Sequence, residues 1–408
     1  MRRIVELCEK TSIPFRTLPC MQDLVAGRVS INTLREVSIE DLLGRDPVKL
    51  DRQAISAELS GRCVLISGGG GSIGTELCRQ VAILKPEKLV LLDNSEFNLF
   101  RVERELRQKF PGTEIHAILG DVADEAAVEH LFRTLRPDIV YHAAAYKHVP
   151  MLESQLREAI RNNVLGTRIM ALAADRHGCD AFVLISTDKA VNPANIMGAS
   201  KRIAEIFCQN LNQHSTTRFI TVRFGNVLGS DGSVVPLFKS QIETGGPVTV
   251  THPEMMRYFM TIPEACQLIL QAEAMGKGSE IFVLNMGEPV RITYLAEQMI
   301  RLSGNEPGKD IEIVYTGLRP GEKLFEELFH EKEQLEGTQH EKILLAQHRK
   351  IDWQRLNEVI ASMETACLGY DEDTLMGSIG ELVPELHHIE KKLPKNVIHL
   401  DVKQAKHS

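Results

Sequence analysis

Ser186-Thr187-Asp188-Lys189 brings a hydroxyl, a carboxylate and an ammonium together in consecutive residues. Such a set offers a hydrogen-bond donor, a general acid and a general base within one small volume. In isolation the tetrapeptide reads equally as a polar loop with a helix cap. The residues before it, Ala181-Phe182-Val183-Leu184-Ile185, form an apolar run of the kind buried in a parallel sheet. Polar groups at the carboxyl end of such a strand face the crevice where open α/β sheets bind ligands. Met197 and Lys201 follow within the next twelve residues.

A second constellation lies upstream. The apolar run Cys63-Val64-Leu65-Ile66-Ser67 predicts a buried strand that enters Gly68-Gly69-Gly70-Gly71-Ser72-Ile73-Gly74 and then a helix from Thr75. The glycines satisfy both G-x-G-x-x-G (Gly69, Gly71, Gly74) and G-x-x-G-x-x-G (Gly68, Gly71, Gly74). Glycine permits the tight turn and lets backbone N–H groups, those of Ser72 and Ile73 included, approach a pyrophosphate at a helix N-terminus. The next predicted strand, Lys88 to Leu92, ends at Asp93, nineteen residues after Gly74. An acid there can hold both ribose hydroxyls of an adenosine. Asn94, Ser95 and Glu96 add no cation to receive a 2′-phosphate, so NAD is favoured over NADP, although Arg101 and Arg104 lie further on.

The strand–helix rhythm that must position these groups continues downstream. Glu114 to Leu119 predicts a strand ending at Asp121-Val122, where the Asp either meets adenine or caps a helix. Ile139 to His142 predicts another, ending in Ala143-Ala144-Ala145, small enough for a cofactor to lie against backbone. Lys147 then either faces a sugar or is a solvated charge, and Asn162-Asn163 falls on a helix beside the site, with Asn163 a candidate for substrate. Val222 to Phe224 predicts the next strand, followed by Asn226. From about residue 228 Gly- and Pro-rich loops alternate with short elements, among them a strand at Pro247–Val250 and a helix starting near Thr261. Arg257, and Arg319 and Lys323 of a turn-rich loop that also holds Glu322 before an expected helix, could meet phosphate.

The 408 residues are 43% hydrophobic and 25% charged, ordinary for a globular protein. A net charge of -8 argues against general nucleic-acid binding. The eight Cys form no C-x-x-C pair and no zinc-spaced cluster, and His387-His388 reads as helix surface, so reduced thiols and no metal are expected. No apolar run approaches the roughly 20 residues that span a bilayer, and no signal peptide is evident. The expected class is α/β, a Rossmann-type doubly wound parallel sheet with a smaller mixed α/β substrate-binding region. Residues 1–58 read as an αβ remnant, with a short helix at Ile4, Val5 and Leu7, a strand within Ile13–Leu18 and a capping box at Ser38 and Asp41. Residues 59–227 then form the NAD-binding core and 228–345 the substrate-binding region. Residues 346–408 read as a helical extension and a tail from Lys403 to Ser408. One αβ unit cannot bury both faces of a sheet, so residues 1–58 should pack on the main domain or belong to a longer chain.

Taken together the chain resembles the extended short-chain dehydrogenase/reductase superfamily. Within it, the chain is similar to nucleotide-sugar 4,6-dehydratases of the capsular polysaccharide branch. The resemblance rests on GGGGSIGTELCRQ, HAAAYKHVP, STDKAVNPANIMGASKR, RFGNVLGSDGSVVPLF, MMRYFMTIPEA and LRPGEKLFEEL, and spans roughly residues 1 to 345. It departs from the superfamily at Tyr-x-x-x-Lys, because Met197 stands where the Tyr would be; larger members of the branch share that Met. The resemblance implies NAD-dependent dehydration of a UDP-N-acetylhexosamine, UDP-GlcNAc above others, to a 4-keto-6-deoxy sugar. In that reading Lys189 is the C5 base, with a depressed pKa. Asp188 is the acid at the C6 hydroxyl and also takes the C4 hydroxyl proton. Thr187 orients the C4 oxygen and Lys201 holds the nicotinamide ribose. Asn226, Arg257, Arg319 and Glu322 hold the UDP. It further implies a homo-oligomer paired through helices beside the site. It also implies a cytoplasmic location, at the inner-membrane face if the chain is part of a longer, membrane-anchored protein. A 4-epimerase, a C5-inverting dehydratase and a non-enzymatic NAD-binding scaffold are the competing readings.

Overall fold

The computed structural model describes residues 16–17, 35–36, 39–42, 45, 48–329, 335–346 and 351–386. The expected helix at Ile4–Leu7, the Ser38 end of the capping box, His387-His388 and the tail from Lys403 lie outside them. Within the expected Ile13–Leu18 strand, Arg16–Thr17 pairs antiparallel with Arg35–Glu36.

One nine-stranded sheet organises the molecule. Its strands are β1 Cys63–Ser67, β2 Lys88–Asp93, β3 Glu114–Leu119, β4 Ile139–His142, β5 Ala181–Thr187, β6 Arg218–Phe224, β7 Ile281–Leu284, β8 Leu335–Gly337 and β9 Ile343–Ala346. The spatial order is β8-β9-β7-β6-β5-β4-β1-β2-β3. Strands from β7 to β3 pair in parallel, and β8 and β9 add an antiparallel edge beside β7. The order reverses between β1 and β4, which opens a crevice at their carboxyl ends.

Side chains alternate between the sheet's faces. Leu65, Val140, Phe182, Leu184 and Phe219 enter one core, while Val64, Ile66, Tyr141, Val183 and Ile220 enter the other. Burial on both faces is why these strands read as continuous apolar runs. Helices α1 Arg52–Leu59, α2 Ser72–Ile83, α3 Glu96–Lys109, α4 Glu125–Leu135, α5 Thr167–Arg176 and α6 Ile196–Leu211 cover the faces. A smaller core of Phe238, Val248, Val250, Phe259, Leu295 and Ile300 is built by α7 Val234–Glu243, α9 Ile292–Leu302 and short strands between them, whereas α8 Ile262–Met275 buries Ala265, Leu268 and Ile269 in a core of the main sheet. Ile39 belongs to it, while Ile55 and Leu59 of α1 are in the main core, so the described part of the N-terminal segment packs on the body of the molecule.

Every residue of α6 is buried. Its outer side is covered by a C-terminal helical hairpin, α10 Trp353–Gly369 and α11 Glu372–Leu382. Phe207 packs on Trp353 with ring centroids 5.6 Å apart, Arg202 pairs with Glu385 at 3.5 Å, and Asn210 accepts the Ile351 N–H. The outer face of α6 is thus occupied by this chain's own hairpin. Among the described residues no helix is long and apolar enough to cross a membrane.

Candidate active site

Gly68 closes the β1 turn with φ +69°, and a Cβ there would lie 2.7 Å from the Ala144 nitrogen. A Cβ on Gly74 would lie 1.9 Å from the Gly68 carbonyl oxygen. Both spacings share Gly74, and the positive φ and close approach at Gly68 favour the Gly68, Gly71, Gly74 reading. The following helix α2 has Gly71 as its N-cap and no side chain capping its first N–H groups. An uncapped helix N-terminus facing a cleft fits a pyrophosphate. Asp93 accepts the Gly70 and Ser95 N–H groups at 2.8 Å each, which fixes the loop. An ionised carboxylate has about four acceptor positions, so capacity for ribose hydroxyls is left over. These residues fit a dinucleotide. Asp121 is not the helix cap: it accepts from Ala123 N–H and pairs with Arg161 at 2.7 Å, while Asp124 caps α4. Val122 is buried against Gly166.

The glycine turn opens into a cleft of ≈ 1030 Å³, within the size of a small-molecule site at its upper end. Its wall includes Gly68, Gly71, Ser72, Ile73, Gly74 and Ala143 at one end, and Thr187, Lys189, Met197, Lys201, Asn226, Arg257 and Arg319 toward the other. Residues from the glycine loop, β5, α6, β6 and the Arg319 loop thus converge as the spacing implied. Lys147 is also on the wall, and burial lowers the pKa of its ammonium despite Asp231 nearby. Above the glycine turn the loop after β6 comes down on α2: Ser72 Oγ donates to Asp231 at 3.2 Å and accepts the Asp231 N–H at 3.1 Å.

At the end of β5 the Thr187 hydroxyl donates to Asp188 Oδ1 at 2.9 Å, and Lys189 Nζ donates to the same oxygen at 2.9 Å and to Asn226 Oδ1 at 3.3 Å. Asp188 itself is buried, contrary to a direct place on the cleft wall. Its Oδ2 has no hydrogen-bond partner and faces Gly225, where a Cβ would approach to 3.0 Å. The reason is local: β5 pairs through Thr187 with Phe224, so the residue after the strand turns under Gly225. The expected depressed pKa of Lys189 is also corrected. Burial alone would lower it, but the Asp188 and Glu326 carboxylates outweigh burial and hold the ammonium above its ordinary value. Lys201 behaves oppositely: burial lowers it to about 8, with Glu205 offsetting only part.

Asn163 does not line the cleft. It is fully buried in a π-helical turn, Ile160–Gly166, where Oδ1 accepts the Tyr146 N–H and Nδ2 donates to the Tyr146 carbonyl and to Ser200 Oγ. It holds the Tyr146–Lys147 loop against α6 instead of meeting substrate. Arg257 donates to the carbonyls of Met256, Lys323 and Leu324. Those bonds take carbonyls that a helix after Lys323 would need, and the expected helix is absent among described residues 324–329. Glu322 accepts the Arg319 N–H and approaches Arg257 at 4.0 Å, bracing the loop.

Two features carried no sequence signal. Beneath β5, Ser186 donates to Glu205, whose carboxylate also takes Arg223 at 2.8 and 2.7 Å and Arg202 at 3.1 Å, all buried. Glu326 lies 3.6 Å from Lys189 Nζ and 3.7 Å from Arg257. It falls in LRPGEKLFEEL, but nothing in that string distinguishes Glu326 from Glu327.

Residues 64–348 match the family described as "Polysaccharide biosynthesis protein". The chain is 47% identical over 378 residues to the capsular polysaccharide biosynthesis protein CapD of Staphylococcus aureus, covering 92% of this chain and 62% of that protein. It is 50% identical over 328 residues to the probable polysaccharide biosynthesis protein EpsC of Bacillus subtilis, covering 80% and 54%. The chain thus spans little more than half the length of these relatives. An inverting UDP-N-acetylglucosamine 4,6-dehydratase of Campylobacter jejuni is 32% identical over 65% of this chain and 77% of its own, and a Rickettsia canadensis UDP-glucose 4-epimerase matches at the same level. Among solved structures, Pen from Bacillus thuringiensis superposes with TM-score 0.65 and 31% identity over 74% of this chain and 98% of its own. The Streptomyces venezuelae dTDP-glucose 4,6-dehydratase DesIV, solved with NAD, superposes with TM-score 0.59 at 18% identity, over 76% and 99%, a likeness of fold.

Proposed function

The chain belongs to the polysaccharide biosynthesis protein family, and from that membership we propose that it is a nucleotide-sugar 4,6-dehydratase. The proposed substrate is a UDP-N-acetylhexosamine, UDP-GlcNAc first, and the product a UDP-4-keto-6-deoxy sugar for capsule or related polysaccharide. The observation that carries this is the contact of Thr187, Asp188 and Lys189 at one end of the cleft, with Met197 where the superfamily's Tyr would stand. A 4-epimerase needs reversible oxidation at C4 and nothing at C5 or C6. A dehydratase needs in addition a base at C5 and an acid at the C6 hydroxyl.

Bound NAD would supply hydride acceptance from C4 and hydride return at C6. Gly68, Gly71, Ser72, Ile73 and Gly74 would hold its pyrophosphate, Asp93 its adenosine ribose and Lys201 its nicotinamide ribose. This chain's side chains handle the protons. Thr187 Oγ hydrogen-bonds the C4 oxygen, takes its proton and passes its own to Asp188 Oδ1, along the hydrogen bond already in place. Lys189, as the neutral amine, removes the C5 proton made acidic by the C4 ketone. The proton on Asp188 returns through Thr187 to the C6 hydroxyl, which leaves as water, and the proton held by Lys189 returns to C5 to match the hydride that NAD would return at C6. The methionine at 197 has no transferable proton and serves as a packing surface.

The C5-inverting variant is the second reading, favoured by the identity to an enzyme named as inverting. Incubating the protein with NAD and UDP-GlcNAc should give a product one water lighter, and proton coupling at C5 assigns its configuration. Unchanged UDP-GlcNAc, or UDP-GalNAc as the only product, refutes the dehydratase reading. NAD should bind at least tenfold more tightly than NADP, about 1.4 kcal/mol, because Asp93 repels a 2′-phosphate; the reverse order in a binding titration overturns that.

A further inference from the structure

Lys189 can act as a base only as the amine, yet it lies among groups that keep its proton on. Asp188 on its own strand end and Glu326 from the loop after Arg319 hold that proton, Asn226 after β6 accepts from Nζ, and Arg257 from the short strand Met256–Arg257 opposes it. Tyr258 is near enough to Asp188 to feel its charge, and Glu322 completes the ring at 4.0 Å from Arg257. Of these, only Glu326 touches both the lysine and the arginine, at 3.6 and 3.7 Å. Its carboxylate is nearly inaccessible to solvent, with 5% of the side chain exposed.

We propose that Glu326 is a positioning residue that takes the resident proton of Lys189 when a diphosphate engages Arg257. In the empty cleft the guanidinium stabilises the Glu326 carboxylate, and the lysine stays an ammonium. A nucleotide diphosphate drawn to Arg257 and Arg319, both on the cleft wall, neutralises that guanidinium and excludes water. Two adjacent opposite charges losing water and an outside partner are less stable than the neutral pair. One Nζ–H bond breaks, one Oε–H bond forms, and no proton leaves the site. The amine then stands ready for C5 only in the nucleotide complex, which spares a free base from reacting in the empty enzyme.

This rests on the dehydratase reading for the use of the amine, but the proton shift itself can be read without turnover. The pH at which Lys189 becomes half-reactive to reductive methylation, followed by mass spectrometry of its peptide, should fall by at least one unit when UDP is added to the wild-type protein. In Glu326→Gln the UDP-induced shift should vanish. An unchanged midpoint with UDP in the wild type, or an equal shift in Glu326→Gln, overturns the proposal. In turnover Glu326→Gln should lower kcat at pH 7 about 10²-fold with KM within about threefold, and the rate should climb toward wild type as pH rises to 10, because solvent then removes the lysine proton. A loss of equal size at every pH assigns Glu326 a purely structural role and overturns the proposal. If the UDP shift is found but the wild type converts no UDP-N-acetylhexosamine, the reaction assignment fails and the Lys189–Glu326 exchange stands.

Discussion

Thr187 is the side chain on which the proposed proton path turns, because it is on the cleft wall while the carboxylate it serves is not. Thr187→Val keeps the β-branched shape and removes the hydroxyl. It should lower kcat about 10²–10⁴-fold, the usual worth of a positioned acid/base, in single-turnover formation of the 4-keto product. Asp188→Asn should do the same, whereas Met197→Ala should cost less than about tenfold. A Met197→Ala enzyme that is dead beside an active Thr187→Val enzyme would reverse these assignments. The mutual contact of this cluster was legible from four adjacent residues, since β5 pairs along its full length and delivers whatever follows it to the crevice. The direction of each side chain was not. Whether Asp188 faces cleft or core depends on how the chain turns under Gly225, and the lysine's charge depends on a glutamate 137 positions later in sequence. Asn163 was misread for a related reason, as an exposed helix polar group is the common case and a π-helical turn leaves no mark in composition.

At the scale of elements, the π-helical turn and the helices flanking it behave as scaffolding for the loop that carries Lys147. Asn163→Ala removes four hydrogen bonds from a buried side chain, leaving the Tyr146 backbone, Asn162 and Ser200 without them. A loss of about 2–4 kcal/mol in denaturant unfolding is expected, because buried groups left unsatisfied cost about 1–3 kcal/mol each. Helix α8 carries a separate buried acid. Burial pushes the Glu273 carboxyl up to about 7, which Arg218 at 3.2 Å only partly opposes and Glu58 reinforces. Its folded pKa is above its ordinary 4.5, so the native state binds the proton more tightly. That stabilisation is fully present below about pH 4.5 and lost as pH rises through about 7, on the order of 3 kcal/mol in all. Glu273→Gln should flatten the stability–pH curve across this window, as chemical denaturation at several pH values would show; an unaltered slope would place the titration elsewhere.

Across the whole molecule, the parallel sheet was readable from strand–helix alternation because each parallel strand needs a crossover to return. The edge strands β8 and β9 and the C-terminal hairpin were not, since short antiparallel additions and helix–helix docking depend on tertiary packing. The hairpin closes α6, the helix that carries Met197 and Lys201. Removing residues 351–386 would bare Ile203, Ile206 and Phe207. The shortened chain should self-associate in light scattering at concentrations where the full chain does not; a monodisperse species of unchanged association state would count against the hairpin's role.

Arg45 has a practical meaning beyond its contacts. It forks onto Glu264 at 2.6 and 2.9 Å and donates to the carbonyls of Asn285 and Met286. Met286 in turn accepts the Gly225 N–H through its sulfur, directly over Asp188. Further along, Asp51 N–H donates to Gln271, and α1 buries Ile55 and Leu59. The stretch that matches the family begins only at residue 64. A gene fragment cut at that border would discard the brace under the floor of its own candidate site, so the smallest fragment worth expressing starts ahead of Arg45.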